Sequence, residues 1–374
     1  MSSIFGNKLK VSIFGESHGK AIGVVLDGLP PGIELDMDFI NREMSRRQPG
    51  KSVFSTPRKE KDDFEILSGY FQGRSTGTPL CAIIYNQDSK SQNYEELKHL
   101  LRPGHADYTG FIKYNKFNDY RGGGHFSGRL TAPLVLAGAV AKHVLKHHNI
   151  LIASHIKSIH DICDESFDST NIDEGVLTKL RNSDFPVLDN RVGQKMQKRI
   201  LDAKNEMDSV GGIIETMIVN LPPGLGFPFF DGVESRLAHA LFSIPAVKGV
   251  EFGEGFNITK LRGSQANDEF VLDGDKIKTS TNHNGGILGG ITTGMPIVFR
   301  VAIKPTPSIG VSQKTVDIYN MQEATIAVKG RHDPCIVPRA VPAVEAASAL
   351  VVLDLMLERE GEYGLSGNFE KPNR

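Results

Sequence analysis

Short runs rich in valine and isoleucine alternate along the chain with longer stretches in which apolar residues return every three or four positions. Residues 11–14, 21–26, 79–85, 213–219 and 296–303 have the length and composition of strands. Helical spacing covers residues 36–47, 131–147, 191–207, 232–242 and 338–359. The pattern predicts a mixed α/β (α+β) protein. The helix from Thr131 is apolar on nearly all sides through Val140, and the one from Pro338 carries Ala343, Val344, Ala346, Ala347, Leu350, Val351 and Leu353. A helix with no polar face belongs in the interior. Two long buried helices then need sheets outside them.

An internal echo adds to this. Leu29-Pro30-Pro31-Gly32 follows one strand and Leu221-Pro222-Pro223-Gly224 follows another. Gly73-Arg74-Ser75-Thr76-Gly77-Thr78-Pro79 and Gly290-Ile291-Thr292-Thr293-Gly294-Met295-Pro296 each lead into an apolar run. The two marks recur in the same order, which suggests two related halves sharing one core, with chance recurrence of turn chemistry as the alternative. No Pro/Gly/Ser linker separates the halves. The expectation is one domain over residues 1–374, with an excursion at about 160–190 and a tail at about 362–374.

Composition narrows the classes. A hydrophobic fraction of 39% supports a substantial core, and a formal net charge of −1 leaves no global field to recruit nucleic acid or a membrane, so any anion site must be local. Cys81, Cys163 and Cys335 lie far apart without Cys-x-x-Cys spacing, against a disulfide framework or a thiolate metal site. The N-terminus lacks the apolar region of a signal peptide, and the longest apolar run, 132–141, is too short to span a bilayer. The expected setting is the cytoplasm.

The candidate chemistry sits in glycine-flanked histidines: Gly15-Glu16-Ser17-His18-Gly19, Pro103-Gly104-His105-Ala106-Asp107 and Gly330-Arg331-His332-Asp333-Pro334. Each alone is an ordinary surface turn. Together they suggest one site, because glycine lets backbone approach a ligand and imidazole beside carboxylate and guanidinium groups suits proton transfer near neutral pH. Arg121-Gly122-Gly123-Gly124-His125-Phe126-Ser127-Gly128-Arg129 leads into the apolar helix at Thr131, presenting backbone N–H groups to phosphate or a planar anionic ring. A second such block is Asn282-His283-Asn284-Gly285-Gly286-Ile287-Leu288-Gly289-Gly290. Residues 42–61 carry Arg42, Arg46, Arg47, Lys51, Arg58, Lys59 and Lys61 against Glu43 and Glu60, either a solvated face or a site for a small multiply charged anion. Ser17 matches the Gly-x-Ser-x-Gly nucleophile elbow, but only one strand precedes it, against a hydrolase.

These motifs carry a resemblance. Gly-Glu-Ser-His-Gly, Arg102-Pro103-Gly104-His105-Ala106-Asp107-Tyr108, Asp119-Tyr120-Arg121-Gly122-Gly123-Gly124, Ala246-Val247-Lys248-Gly249-Val250-Glu251, Arg262-Gly263-Ser264-Gln265 and Gly330-Arg331-His332-Asp333-Pro334-Cys335, in this order, resemble the chorismate synthase family from about residue 8 to about 360. The resemblance implies a lyase that removes phosphate and a ring hydrogen from 5-enolpyruvylshikimate 3-phosphate by 1,4 anti elimination, the last step of the shikimate pathway. It implies reduced FMN as cofactor, long central helices sandwiched between two antiparallel sheets, and a homotetramer. Neither a metal nor nucleic acid nor a membrane enters the implied reaction. No dinucleotide fingerprint is present, which favours reduced FMN taken from elsewhere over an NADPH-dependent flavin reduction of the enzyme's own.

By matching motif, the resemblance makes His18 the group that protonates the departing phosphate, His105 a donor to the reduced flavin, and Asp333 the assistant in removing the ring proton. Arg46, Arg47, Arg129 and Arg339 would bind substrate. The flavin would lie against His125, Phe126, Ser127, Pro245, Ala246, Gly289, Lys304, Pro305, Thr306, Pro307, Ser308 and Arg331. The chain departs from the commoner family pattern at His125 and Phe126, at Val53, where arginine is frequent, and at Pro245, where asparagine is usual. A non-catalytic flavin- or anion-binding protein would have no need of His18, His105 and Asp333.

Overall fold

The computed structural model describes residues 3–50, 60–87, 98–328 and 333–366, with side chains to residue 362. Two five-stranded antiparallel sheets dominate it. The first contains Ile4–Phe5, Lys10–Gly15, Ala21–Asp27, Leu80–Tyr85 and Phe64–Ser68, in that spatial order. The second contains Val247–Phe252, Ile297–Ile303, Gly212–Val219, Leu151–Ile159 and Ile162–Cys163, again in spatial order. Every apolar run read as a strand from the sequence lies in one of these sheets. Alternation decides which face is buried: Ile22, Val24 and Leu26 point to the core from one sheet, and Ile297, Phe299, Val301 and Ile303 from the other.

Three helices set the interior. Helix α1 (Met37–Arg47) starts at Asp36, whose side chain accepts from the Phe39 N–H at 2.9 Å. Helix α2 (Thr131–Lys146) packs along α3 (Val337–Ser366), and a Cβ at Gly138 of α2 would overlap the backbone of Ala346 on α3, so glycine sets their separation. Helix α2 also touches the Ala21–Asp27 strand, and α3 touches the Leu151–Ile159 strand. Helix α3 is apolar and long enough to cross a bilayer, but 94% of its most apolar stretch is buried inside the protein, so its hydropathy is explained by its place in the core.

The paired sequence marks make paired contacts. Gly32 N–H donates to Ser75 O at 2.8 Å, and Ser75 Oγ donates to Pro30 O at 2.7 Å. In the second half Gly224 N–H donates to Thr292 O at 2.9 Å, and Thr292 Oγ1 donates to Pro222 O at 2.8 Å. The strands that follow, Leu80–Tyr85 and Ile297–Ile303, pair antiparallel with the strands that precede, Ala21–Asp27 and Gly212–Val219.

Beyond the pattern read from the sequence lies the Leu151–Ile159 strand, whose polar residues pair across the sheet: Ser154 Oγ lies 2.8 Å from Thr216 Oγ1, and His155 Nε2 lies 3.0 Å from Glu215 Oε2. The segment at 160–190 is packed, with helix Glu174–Arg181 laying Leu177 over Ala153, Met217, Val219 and Val298 on the sheet's second face.

Candidate active site

The loop from Arg121 to Leu130, ahead of α2, organises the site. Gly122, Gly123 and Gly124 all take positive φ, at 60°, 89° and 54°. The glycines also leave room for two histidines. A Cβ on Gly122 would strike the His18 imidazole and lie 2.9 Å from Ser17 Oγ, while one on Gly123 would lie 3.1 Å from His105 Nε2. His18 and His105, far apart in sequence, therefore flank neighbouring residues of one loop. Ser17 N–H donates to Gly124 O at 3.1 Å, and His18 is 7% exposed.

His105 is oriented from behind. Its Nδ1 lies 2.7 Å from Asp107 Oδ1, and Arg102 clamps the same carboxylate through Nε at 2.8 Å and Nη2 at 2.7 Å. Burial alone would raise the Asp107 pKa, but hydrogen bonds from His105 and Arg102 outweigh it and hold the carboxyl well below its ordinary range. Arg102 Nη2 also lies 3.1 Å from Nδ1, so that nitrogen is held on the Asp107–Arg102 side and Nε2 faces the glycine loop. Lys304 Nζ donates to Gly104 O, Pro307 packs on Gly104, and Arg102 Nη1 donates to Ser308 Oγ at 3.4 Å. The 304–308 stretch thus forms a wall beside His105. Burial and the neighbouring Lys248 both depress the Lys304 pKa.

The far end of the loop carries cations. Arg47 donates from Nη1 to Asp62 Oδ2 at 2.5 Å, from Nε to Thr131 Oγ1 at 3.0 Å and from Nη2 to Gly128 O at 3.3 Å. Arg129 Nη1 donates to Asp62 Oδ1 and lies 3.0 Å from Glu60 Oε2. Arg339 donates from Nε to Arg47 O at 3.2 Å and from Nη1 to Asp333 Oδ2. Burial lowers the Arg47 pKa to about 10, still charged at neutral pH. Three of the four arginines singled out from the sequence, together with Asp333, therefore form one connected group at the end of the histidine loop.

Other singled-out residues lie elsewhere. Arg46 turns into the core, donating to Glu345 at 2.6 and 3.1 Å and to Glu43 at 3.0 Å, with Lys142 completing the network at 2.6 Å from Glu43. His125 Nδ1 is 2.9 Å from Gly15 O, bracing the turn that carries His18. Phe126 packs on Gly110 and lies 6.2 Å from the Tyr114 ring, and Ser127 Oγ accepts from Arg129 N–H at 3.2 Å. Ala246, at φ 76°, accepts from Lys304 N–H through its carbonyl at 3.0 Å, which places Pro245 and Ala246 beside the 304–308 wall. Gly289 belongs to a hairpin held through Gly290 against Phe227, Gly232 and Val233. Lys51, Val53, Arg58, Lys59, Arg331 and His332 lie outside the described residues. Cys335 is buried, which pushes its thiol up to about 12 and makes it a packing residue.

The motifs mark Arg102 as an arginine flanking a glycine-rich block and Asp107 as the carboxylate of the His105 cluster, but assign no role to Asp62 or Glu60. A signal existed for Asp107, two residues after His105. None existed for Asp62, whose partners Arg47 and Arg129 meet it only in the fold.

The donor set suits a flavin phosphate and ring. Thr306 Oγ1, in the 304–308 wall that also carries the Lys304 amine, is buried without a hydrogen-bond partner. Among the described residues no cluster of histidine, cysteine, aspartate and glutamate could hold a metal ion.

Residues 9–357 match the family profile described as chorismate synthase. A chorismate synthase of Thermococcus kodakarensis is 49% identical over 96% of this chain and 99% of its own. One of Archaeoglobus fulgidus is 49% identical over 94% of this chain and 96% of its own. A solved structure described as a crystal structure of chorismate synthase superposes with a TM-score of 0.75 at 32% identity, covering 96% of this chain and 94% of that one. The connected histidines and arginines are thus set in a matching sequence and a matching fold, and the chain belongs to the chorismate synthase family, lyases of the shikimate pathway.

Proposed function

We propose that the chain carries out the 1,4 anti elimination of phosphate from 5-enolpyruvylshikimate 3-phosphate, giving chorismate, with reduced FMN bound beside the substrate. The observation that carries this reading is that one glycine loop bears His18 and His105 at its start and the Arg47–Asp62–Arg129 group at its end. In the reaction a carbon–oxygen bond to phosphate breaks, a ring carbon loses its proton, and net oxidation state is unchanged. Reduced FMN supplies transient electron density to the allylic system.

Each residue has a job within that balance. Arg47, Arg129 and Arg339 hold the phosphate and carboxylate charges, for which planar guanidinium forks are suited. His18, close to the loop backbone and largely shielded from water, gives a proton to the leaving phosphate. His105, held through Nδ1 by Asp107 and Arg102, presents Nε2 toward the cofactor. Asp333, steered by Arg339, assists removal of the ring proton. Arg46, bound into the Glu43–Lys142–Glu345 network, supports α1 from behind. Lys304, Thr306 and Ser308, with Pro245, Ala246 and the two prolines of the 304–308 wall, would hold FMN; His125, Phe126, Ser127, Gly289 and Arg331 join the set by family motif.

The repeated Pro-Pro-Gly contacts support reading the chain as one domain of two related halves, with α2 and α3 sandwiched between the sheets. A homotetramer fits the exposed Phe270, Leu272 and Ile277, which share one face of the Phe270–Asp273/Lys276–Thr279 hairpin. Calorimetry tests the cofactor assignment: FMN binds, and binds tighter with substrate present. No FMN binding in either condition would remove the cofactor from the proposal.

A further inference from the structure

We propose that Asp62 is a positioning residue, one carboxylate that fixes the spacing and direction of the two arginines receiving the substrate's anionic groups; the inference rests on the substrate role proposed for Arg47 and Arg129. All three side chains are buried, at 4% exposure for Asp62, 2% for Arg47 and 7% for Arg129. Two guanidinium groups this close repel unless an anion lies between them. Asp62 supplies it with one oxygen to each, Oδ2 to Arg47 Nη1 and Oδ1 to Arg129 Nη1.

The backbone aims that carboxylate. Asp62 has φ 54°, a left-handed conformation unusual for a residue with a side chain. The neighbouring Lys61 O is held by Gln48 Nε2, at the C-terminal cap of α1, which ties the segment to the helix carrying Arg47. The remaining donors are placed as well, Arg47 Nε on Thr131 Oγ1 and Arg129 Nε on Asn86 Oδ1 at 3.1 Å. Burial would raise the Asp62 pKa, but Arg47 and Arg129 outweigh it and keep the group ionised.

The sign of one measurement separates positioning from charge. As a charge alone, Asp62 opposes an anionic substrate, and removing it would tighten anion binding. As a positioner, it makes the site, and changing it weakens anion binding. In Asp62→Asn the amide nitrogen faces a guanidinium N–H, so either Arg47 loses its carboxylate acceptor or Arg129 is left with Glu60 alone. In Asp62→Glu the charge stays while the extra methylene moves both arginines, which keeps the test open if the Asn variant does not fold.

The experiment measures competitive inhibition by inorganic phosphate, KM for substrate, kcat and the melting temperature on the full chain with reduced FMN. Positioning predicts that both variants raise the phosphate inhibition constant and KM roughly tenfold or more, the scale of a lost charge-assisted hydrogen bond, with kcat at saturation affected less. A structural role alone would lower the folded fraction and Vmax with KM unmoved, and that result overturns the proposal. So does tighter phosphate inhibition in Asp62→Asn. Arg47→Met and Arg129→Met separate the layers. If they raise KM and Asp62→Glu does not, positioning fails alone; if neither changes KM or phosphate inhibition, the substrate site fails with it.

Discussion

At the residue scale, the functional unit is a side chain plus the partner that holds it. His105 was legible because Gly104 precedes it and Asp107 follows within its own turn, but the clamp of Arg102 on Asp107 adds an element no local spacing shows. Asp107→Asn retains shape and removes the charge that holds His105 through Nδ1. Turnover should fall about 10- to 10²-fold, within the range for a positioned proton-transfer group, with FMN affinity little changed. The pH sign follows from the lowered Asp107 pKa. Its contribution to stability is complete above the ordinary value of 3.8 and is lost as pH falls toward the depressed folded value. Acid unfolding of the wild type should therefore be steeper below that pH than acid unfolding of Asp107→Asn. Equal acid profiles and equal turnover would make the His105–Asp107 contact incidental.

At the element scale, periodicity predicted the long helices and the apolar strands because their burial leaves a regular trace. Asp36, for example, stands one residue before α1 as its cap. The Leu151–Ile159 strand left none, since Ser154 and His155 are satisfied across the sheet by Thr216 and Glu215, and such pairing is invisible along one strand. His155 is fully buried between Glu215 and Asp164, whose Oδ2 lies 3.5 Å from Nδ1. Burial pushes the imidazole toward its neutral form, but the two carboxylates outweigh it and raise its pKa above 6.5. The charged imidazole thus contributes stability that is complete below 6.5 and is lost as pH rises through the raised folded value. A melting series upward from that pH should show the wild type losing more stability than His155→Gln; parallel curves would contradict the assignment. The glycine loop gives a second prediction. Gly122→Ala places a methyl against the His18 ring at a positive φ, which should cost about 1–3 kcal/mol of stability and about 10²-fold in turnover, because His18 must move. Normal turnover in that variant would show that the loop does not set His18.

At the scale of the whole molecule, the site draws on both halves: His18, Arg47, His105 and Arg129 come from the first, Lys304, Asp333 and Arg339 from the second. The motifs announced the histidines and arginines, whereas their joining through Gly122, Gly123, Gly128 and Asp62 became visible only with the packing of α2 beside α3. The central claim is that this joined site performs a flavin-assisted elimination. Its most direct measurement is an anaerobic assay of 5-enolpyruvylshikimate 3-phosphate turnover, with and without chemically reduced FMN, following phosphate and chorismate together in the wild type and in His18→Ala. Phosphate and chorismate should form in equal amounts only when reduced FMN is present, with His18→Ala slower by about 10²-fold or more. Phosphate release without reduced FMN, no chorismate with it, or an unimpaired His18→Ala variant would contradict that claim.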